Sequence, residues 1–210
     1  TNGIGDFRPT PTQTMTQISW MKVNIRGTTV LTKDYVVKGA TKIKKNLQNA
    51  QTIESINEKG IDPQIVLEDF FQDVSENDFI ICHNTDFDIG ILLRTLKKEP
   101  PFNLKKNAIC TMKLTTGFCK LPNRYGYKYP SLSELSKKLD ICVDNTCFHD
   151  SLYDCKILKQ IFFELLNLEP SLVSDGCEIN MKNNFIKLYQ MNQSVSGLGL
   201  CPTCESIENN

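Results

Sequence analysis

Along this chain the spacing of apolar residues changes from the two-residue period of strands to the longer period of helices, and the order of these segments limits the fold. Residues Ile18–Val23 and Val30–Val37 predict two strands joined by a tight turn. Farther along, Phe79–Cys82 is short and wholly apolar, as in a buried strand. Because helical segments alternate with the later strands, the sequence predicts an α/β fold with a mixed sheet.

Four helices are predicted from apolar residues that recur every three or four positions. The third helix begins at a capping box from Ser131 to Glu134, and the fourth extends from about Ser151 to Leu168. A further short strand is predicted over Ala108–Met112. The apolar faces of the four helices comprise Ile65, Val66, Phe70 and Val74; Ile89, Leu92, Leu93 and Leu96; Leu132, Leu135 and Leu139; and Leu158, Ile161, Phe162 and Leu165.

Length and the point at which this pattern fades predict the domain organisation. The chain has 210 residues, which fits a single domain with an appendage. We expect one domain over residues 1–168 and a C-terminal tail over residues 169–210 that is disordered or partly helical, with a helix near Asn184–Met191. The longest apolar runs are far shorter than the roughly 20 residues that cross a bilayer, so no membrane association is expected.

Charge is segregated along the chain although its total is balanced. The chain has 24 basic and 24 acidic residues, but residues 97–138 contain ten Lys or Arg and only Glu99 and Glu134, so this stretch has a net charge of +8. Five aromatic residues are interleaved with these cations. Cations next to stackable rings suit the backbone and bases of a single-stranded nucleic acid. The alternative interpretation is a solvated surface loop whose rings pack on the core.

The nine cysteines indicate reduced thiols and therefore an intracellular protein. Their number is odd, they are scattered, and several lie within apolar runs, where they serve as small core residues. Cys201-Pro-Thr-Cys204 has the spacing of half a zinc site, but the sequence offers no obvious second pair of ligands. A zinc-organised interaction module is a hypothesis that rests on these cysteines alone.

Two aspartates are predicted on the inward sides of their helices. At about 100° per residue, Ile161 and Leu165 project within about 20° of Asp154, so this carboxylate points toward the core. Asp88 lies at the edge of the apolar face of its own helix. A buried carboxylate without a partner costs several kcal/mol, so we expect a bound cation to neutralise both. The alternative is that each aspartate only caps N–H groups at the start of its helix.

His149 precedes Asp154 by five residues, so the two side chains cannot share one helical face. We expect His149 on the loop before the helix, from which its ring can swing over a site into which Asp154 projects. A mobile imidazole above buried carboxylates suits a general base that acts on a metal-bound water. Taken alone, His149 would be interpreted as an ordinary surface histidine.

Together these residues resemble the DEDDh (DnaQ-like) 3′–5′ exonuclease family, which includes the proofreading subunits of polymerases. His83-Asn-Thr-Asp-Phe-Asp88 is similar to the family's motif HNxxFD, and His149 with Asp154 is similar to its motif H-x(4)-D. The order and spacing of the motifs make the combination specific. Weaker similarity is found in Ala50–Ile56, Gly60-Ile61, Cys110–Met112 and Tyr129–Leu135.

The resemblance implies an RNase H-like sheet that holds two divalent cations, Mg²⁺ or Mn²⁺, between four carboxylates. The implied reaction releases nucleoside 5′-monophosphates from the 3′ end of single-stranded DNA or RNA. One cation generates the attacking hydroxide, assisted by a histidine, and the other stabilises the leaving 3′ oxygen. A polymerase is a candidate partner.

The resemblance also assigns roles to residues of this chain. Asp88 and Asp154 would be metal ligands, and His149 would be the general base. Asn84 would hold the site loop. Glu54 stands where proofreading relatives often have a nucleotide-contacting histidine, so it could modify base contacts. The pocket of the 3′-terminal nucleotide would be lined by Thr1, Asn2 and Gly3.

The family's first motif, D-x-E, is not matched in this chain. In the family it lies on the opening strand, directly before a T-x-G-like turn, and the alternation of a strand points both acids at the metals. Thr1-Asn2-Gly3 matches the turn, and Asp6 lies on its wrong side to replace the acids. We therefore expect a truncated first strand and an inactive chain, whereas an extended form with D-x-E would be active. The alternative is a catalytically inactive nucleic-acid-binding or scaffolding module with the same fold.

Overall fold

The first two strands form where the sequence predicts them. β1 (Gln17–Val23) and β2 (Thr29–Val36) pair antiparallel, and their bounds agree with the predicted strands to within one residue at each end. Gly27 in the turn between them has a φ of 84°, a conformation that glycine adopts without strain. The computed structural model describes residues 15–39, 53–174 and 177–196.

Helices and short strands alternate after this pair. β3 (Ile80–Cys82) pairs parallel with β4 (Ala108–Cys110), and β5 (Pro122–Asn123) forms a small hairpin with β6 (Gly126–Tyr127). The described helices are α1 (Ile53–Lys59), α2 (Pro63–Asp73), α3 (Thr85–Thr95), α4 (Thr111–Leu114), α5 (Thr116–Cys119), α6 (Leu132–Lys138), α7 (Ser151–Leu166), α8 (Pro170–Val173) and α9 (Ile179–Ser196).

The described strands form three two-stranded sheets, whereas the sequence predicts one mixed sheet. Among the described residues, β1 pairs only with β2, and β3 pairs only with β4. Every residue of β1 and of β3 lines one cleft of about 1530 Å³. Strands join into one sheet only where neighbours exchange backbone hydrogen bonds, and β1 and β3 do not. Parallel and antiparallel pairs both occur, in keeping with an α/β fold.

Two clusters of buried apolar side chains form the core. The first lies around α7, whose Ile161 and Leu165 are fully buried as the helical pattern predicts, together with β4, α6 and α9. The second lies between the β1–β2 pair and helices α2 and α3, and it includes Trp20, Leu67 and Leu92. Burying the apolar face of each helix against a neighbouring element is the main force that holds these elements together.

Two local predictions differ from the structure. The helical pattern predicts Ile65 on the buried face of α2, but Ile65 is mostly exposed, and the buried face centres on Leu67 and its neighbours. The strand predicted over Ala108–Met112 ends at Cys110, because α4 begins at the next residue. The backbone N–H of Met112 donates to the carbonyl oxygen of His83 instead of continuing a strand ladder.

The helix predicted near residues 184–191 is present as part of α9 and packs on the core around α7. Phe185 is fully buried, and its ring meets that of Phe162 edge to face, with the centroids 6.2 Å apart. Just before α9, Glu178 shares the ammonium group of Lys113 with Asp86, at 3.0 Å and 2.9 Å. Residues 177–196 therefore contribute to the core, while the domain boundary expected at residue 168 stays a prediction.

Other sequence predictions concern cysteines and membranes. Cys201 and Cys204, the proposed half of a zinc site, lie outside the described residues. The cysteines within the described ranges are free thiols. None of the helices in the described part of the chain combines the length and apolar character needed to cross a bilayer.

The burial of α9 predicts a large cost for removing its central ring. Phe185→Ala is expected to lower the free energy of unfolding by about 3–5 kcal/mol, because it leaves a cavity between α7 and α9. The matched control is Ile179→Ala, an exposed residue of the same helix, which should change stability by less than about 0.5 kcal/mol. Urea unfolding of both variants measures the difference, and equal stabilities would show that α9 does not contribute to the cooperative core.

Candidate active site

The N-terminus of α3 places Asp88 beside the cleft. β3 ends at Cys82, and Asn84 caps the helix by accepting a hydrogen bond from the backbone N–H of Phe87 at 3.3 Å. The backbone N–H of Asn84 lies 3.4 Å from Oδ2 of Asp88 and donates to it. The cap therefore fixes both the start of the helix and the direction of the carboxylate.

His83 anchors this loop to two other segments. Its Nε2 lies 3.0 Å from the carbonyl oxygen of Pro130, and its Nδ1 lies 3.0 Å from the hydroxyl oxygen of Thr111. Because a carbonyl oxygen can only accept, Nε2 carries the proton, and Nδ1 accepts from the hydroxyl group. Burial lowers the pKa of His83 to about 4, so the ring is neutral at pH 7 and holds the loop in place.

Asp154 lies in the first turn of α7, after the residue that caps the N-terminus of this helix. Asp150 caps this helix by accepting from the backbone N–H of Tyr153 at 2.8 Å. The Oδ1 atom of Asp154 is buried and has no hydrogen-bond partner among the described residues. Burial raises the pKa of Asp154 to about 6, and the neighbouring His149 partly offsets this effect. A buried carboxylate oxygen without a protein partner is rare in folded proteins and suits the coordination of a cation.

Asp88 and Asp154 line the same cleft and repel each other. The pKa of Asp88 is raised to about 6, mainly by burial and to a smaller extent by the negative charge of Asp154, while a hydrogen bond from the backbone of Asn84 opposes the rise. Asp88 is exposed by its accessible surface and lines the open cleft, although enough protein surrounds its carboxyl group to raise the pKa. The inward direction predicted for Asp154, and the edge position predicted for Asp88, agree with this arrangement.

His149 lies on the loop before α7, where the sequence predicts it. Its side chain is exposed and lines the cleft that contains both aspartates. Its φ is 78°, in the left-handed region that a residue with a Cβ rarely adopts. Such backbone strain is often found at functional sites. The loop position is observed, whereas the role of His149 as a general base stays a prediction.

Gln17 contributes a contact that no pattern in the sequence predicts. Its side-chain amide donates to Oδ2 of Asp150 and accepts from the backbone N–H of Ser151, both at 3.4 Å. These contacts attach the start of β1 to the N-terminus of α7. A polar residue at the beginning of a strand carries no periodic signal, whereas His83 is at least visible as part of a motif.

Some predicted substrate-binding residues are not brought to the cleft. Glu54 is exposed in the first turn of α1 and is not among the residues that line the cleft, although Ile56 of the same helix is. Asn84 lines the cleft and serves there as a helix cap. The predicted contacts of these residues with a nucleotide stay predictions. The remaining predicted residues, Thr1, Asn2 and Gly3, lie outside the described part of the chain.

The carboxylates fit part of a site for a divalent cation. Carboxylate oxygens are the ligands that Mg²⁺ and Mn²⁺ prefer, and the unpartnered Oδ1 of Asp154 is free to coordinate. Within residues 15–39, 53–174 and 177–196, however, no cluster of three or more His, Cys, Asp or Glu is placed to hold a metal ion. Asp88 and Asp154 therefore offer a partial ligand set.

Comparison with known proteins provides evidence about the family of this chain that does not depend on the geometry of the cleft. A family model described as exonuclease (RNase_T) matches residues 9–162, a range that contains Asp88, His149 and Asp154. A DNA polymerase III subunit epsilon of Buchnera aphidicola subsp. Acyrthosiphon pisum (strain APS) is 27% identical over 123 residues, which are 57% of this chain and 49% of that protein. The chain spans about half the length of this relative. No solved structure matches.

The raised pKa of Asp154 predicts a pH-dependent stability of the metal-free protein. Between the ordinary pKa of 3.8 and about 6, the folded state binds more protons than the unfolded state, so stability falls as pH rises through this window. Asp154→Asn should therefore stabilise the protein at pH 7 by about 1 kcal/mol, an amount reduced by the openness of the cleft, and much less at pH 4. Thermal unfolding in EDTA at both pH values measures this. Glu58→Gln, an exposed carboxylate on α1, is the control.

The partial ligand set predicts that Mn²⁺ stabilises the protein through these two residues. A cation that binds only the folded state raises the melting temperature with concentration. We expect Mn²⁺ at millimolar concentration to raise the melting temperature of the wild type but not that of Asp88→Asn or Asp154→Asn. The same increase in the wild type and both variants would show that the cation binds elsewhere.

Proposed function

Because the chain belongs to the exonuclease family, we propose that its domain, once the set of metal ligands is complete, acts as a metal-dependent 3′–5′ exonuclease on single-stranded DNA or RNA and releases nucleoside 5′-monophosphates. The observation that carries this proposal is that Asp88 and Asp154 line one cleft and interact electrostatically, and that a buried Asp154 oxygen lacks a partner among the described residues. Such an oxygen is costly in a protein that binds no cation there.

The residues of the cleft can divide the chemistry of phosphodiester hydrolysis between them. Asp88 and Asp154 would bind divalent cations, which polarise the scissile phosphate and stabilise the negative charge that develops on it. His149 would accept the proton of the attacking water at an imidazole nitrogen, from an exposed loop at the rim of the cleft. His83 would not compete for this role, because both of its ring nitrogens are engaged.

We propose that the remaining ligands are an acid–x–acid pair on an extended segment between β1 and β3. Both strands line the cleft, and neither has a second strand partner among the described residues. A strand placed there would complete both backbone ladders and would join the two sheets. Side chains two residues apart on a strand share one face, so both acids would reach the same site.

A designed N-terminal strand tests this proposal. We expect a fusion of alternating apolar residues ending in Asp-Ile-Glu, joined directly to Thr1, to release nucleoside monophosphates from a 3′-labelled single strand in the presence of Mn²⁺. The matched fusion ending in Ala-Ile-Ala should be inactive, as should the unmodified chain. In the acidic fusion, Asp154→Ala should lower the rate at least about a hundredfold, as is typical when a group that stabilises transition-state charge is removed.

Three outcomes would contradict the proposal. Equal release by the acidic and alanine fusions would show that the strand does not supply the ligands. Undiminished release by Asp154→Ala would show that Asp154 does not hold the cation. Binding of the single strand without hydrolysis in the acidic fusion would favour the alternative, a catalytically inactive nucleic-acid-binding module with this fold.

We also propose a polymerase as the partner of this chain. The support is the similarity to a DNA polymerase III subunit epsilon, over about half of that protein's length. In such a complex the exonuclease would remove mispaired 3′ ends, which is proofreading. Co-purification of a polymerase with the tagged chain from its own source would support this proposal, and its absence from the purified material would count against it.

A further inference from the structure

The hairpin of β5 and β6 exposes three tyrosines next to the candidate active site. Tyr125 in its turn is 73% exposed, Tyr127 on β6 is 53% exposed, and Tyr129 just beyond it is 36% exposed. Tyrosine rings are usually packed at least in part against other side chains, because each buries a large apolar area. The two rings that are more than half exposed, those of Tyr125 and Tyr127, therefore indicate a surface that is available for stacking.

Backbone pairing holds these rings in place. Pro122 pairs with Tyr127, and the backbone N–H of Lys128 donates to the carbonyl oxygen of Leu121 at 2.9 Å, which extends the ladder beyond β6. The guanidinium group of Arg124 lies 5.3 Å from the centre of the Tyr125 ring. A paired hairpin presents its rings in a defined arrangement, so binding a flat ligand would cost little ordering entropy.

The hairpin continues directly into the cleft. Lys128, Tyr129 and Pro130 line the cleft that contains Asp88 and Asp154. The carbonyl oxygen of Pro130 accepts the hydrogen bond from His83, so the loop that precedes Asp88 also holds the segment that follows the hairpin. A chain-like ligand whose end lies in the cleft can therefore extend over Tyr127 and Tyr125.

The charge of this surface selects a polyanion. The sequence contains no Asp or Glu from Pro100 to Ser133. Lys120 and Arg124, just before and within the turn of the hairpin, are exposed. Lys128 forms an ion pair with Glu134, the nearest carboxylate on the C-terminal side. Exposed cations among exposed rings suit a ligand that has both phosphates and flat bases. A protein partner lacks this regular alternation of negative charges and flat rings.

We propose that the β5–β6 hairpin binds the single-stranded nucleic acid on the 5′ side of the nucleotide in the cleft. Bases stack on Tyr125 and Tyr127, and Lys120 and Arg124 contact the phosphates. The direction of the strand rests on the proposed function, which puts the 3′ end in the cleft. The stacking surface itself rests only on the exposure, charge and position of the hairpin.

Anisotropy of a 5′-fluorescein-labelled dT12 or U12 in EDTA tests this proposal without catalysis. The double variant Tyr125→Ala and Tyr127→Ala should bind at least about 25-fold more weakly, about fivefold for each ring removed. The double variant with Phe at both positions keeps the rings and should stay within about twofold of the wild type. Replacing Lys120 and Arg124 with Ala should reduce the salt slope of log affinity by about 0.7 for each phosphate that is no longer neutralised.

Two controls separate stacking from unrelated effects. Ile65→Ala removes an exposed apolar side chain of α2 that does not line the cleft, and it should leave affinity unchanged. Unchanged melting temperatures of the Tyr variants confirm that a loss of affinity is not a loss of folding.

The results distinguish this proposal from the exonuclease proposal. Weak binding by the Ala double variant supports the hairpin surface even if the acidic-strand fusion fails to hydrolyse nucleic acid. Wild-type affinity in that variant overturns the proposal for the hairpin even if the fusion is an active nuclease. The exposed rings would then be interpreted as a surface that binds a protein partner. Failure of the wild type to bind either oligonucleotide also overturns the proposal.

Discussion

Placing two carboxylates in one cleft is costly, and the structure of the site is organised around that cost. Burial raises the pKa values of Asp88 and Asp154, the negative charge of Asp154 adds to the rise at Asp88, and one oxygen of Asp154 has no partner among the described residues. Folding can tolerate this arrangement because each aspartate lies in the first turn of a helix, and buried apolar side chains farther along the same helix stabilise its packing. The same cost makes the cleft attractive to cations, so an unfavourable feature of the fold becomes the basis of the proposed chemistry.

The two helix N-termini are held by different means. His83 fixes the start of α3 through hydrogen bonds to Thr111 and Pro130, which lie in separate segments. The start of α7 is fixed by Gln17 of β1, while the fully buried Ile161 secures the body of the helix. A displacement of either helix terminus would separate the two carboxylates. His83 and Gln17 would therefore determine whether the two carboxylates can share a cation, although neither is proposed to contact the substrate.

The position of the hairpin explains why a chain with balanced total charge can suit nucleic acid. Positive charge and exposed tyrosines are concentrated next to the cleft, whereas the cleft itself contains the carboxylates. The phosphate backbone would meet cations before its end reaches the acids, whose charge would be offset by bound metal. The two regions are adjacent because Pro130, three residues beyond the hairpin, accepts a hydrogen bond from His83 beside the site.

Patterns along the chain are enough to predict most of the local structure and the side of its helix on which each of the two aspartates lies. Helical periodicity pointed Asp154 inward, and the capping box at Ser131 marked the start of α6, because such signals depend only on neighbours along the chain. The exposure of Ile65, the contact of Gln17 with α7, the packing of α9 on the core and the position of Glu54 away from the cleft became visible only in the folded molecule. These outcomes depend on which segments meet in space, and a pattern along one segment carries no information about the partner it will contact.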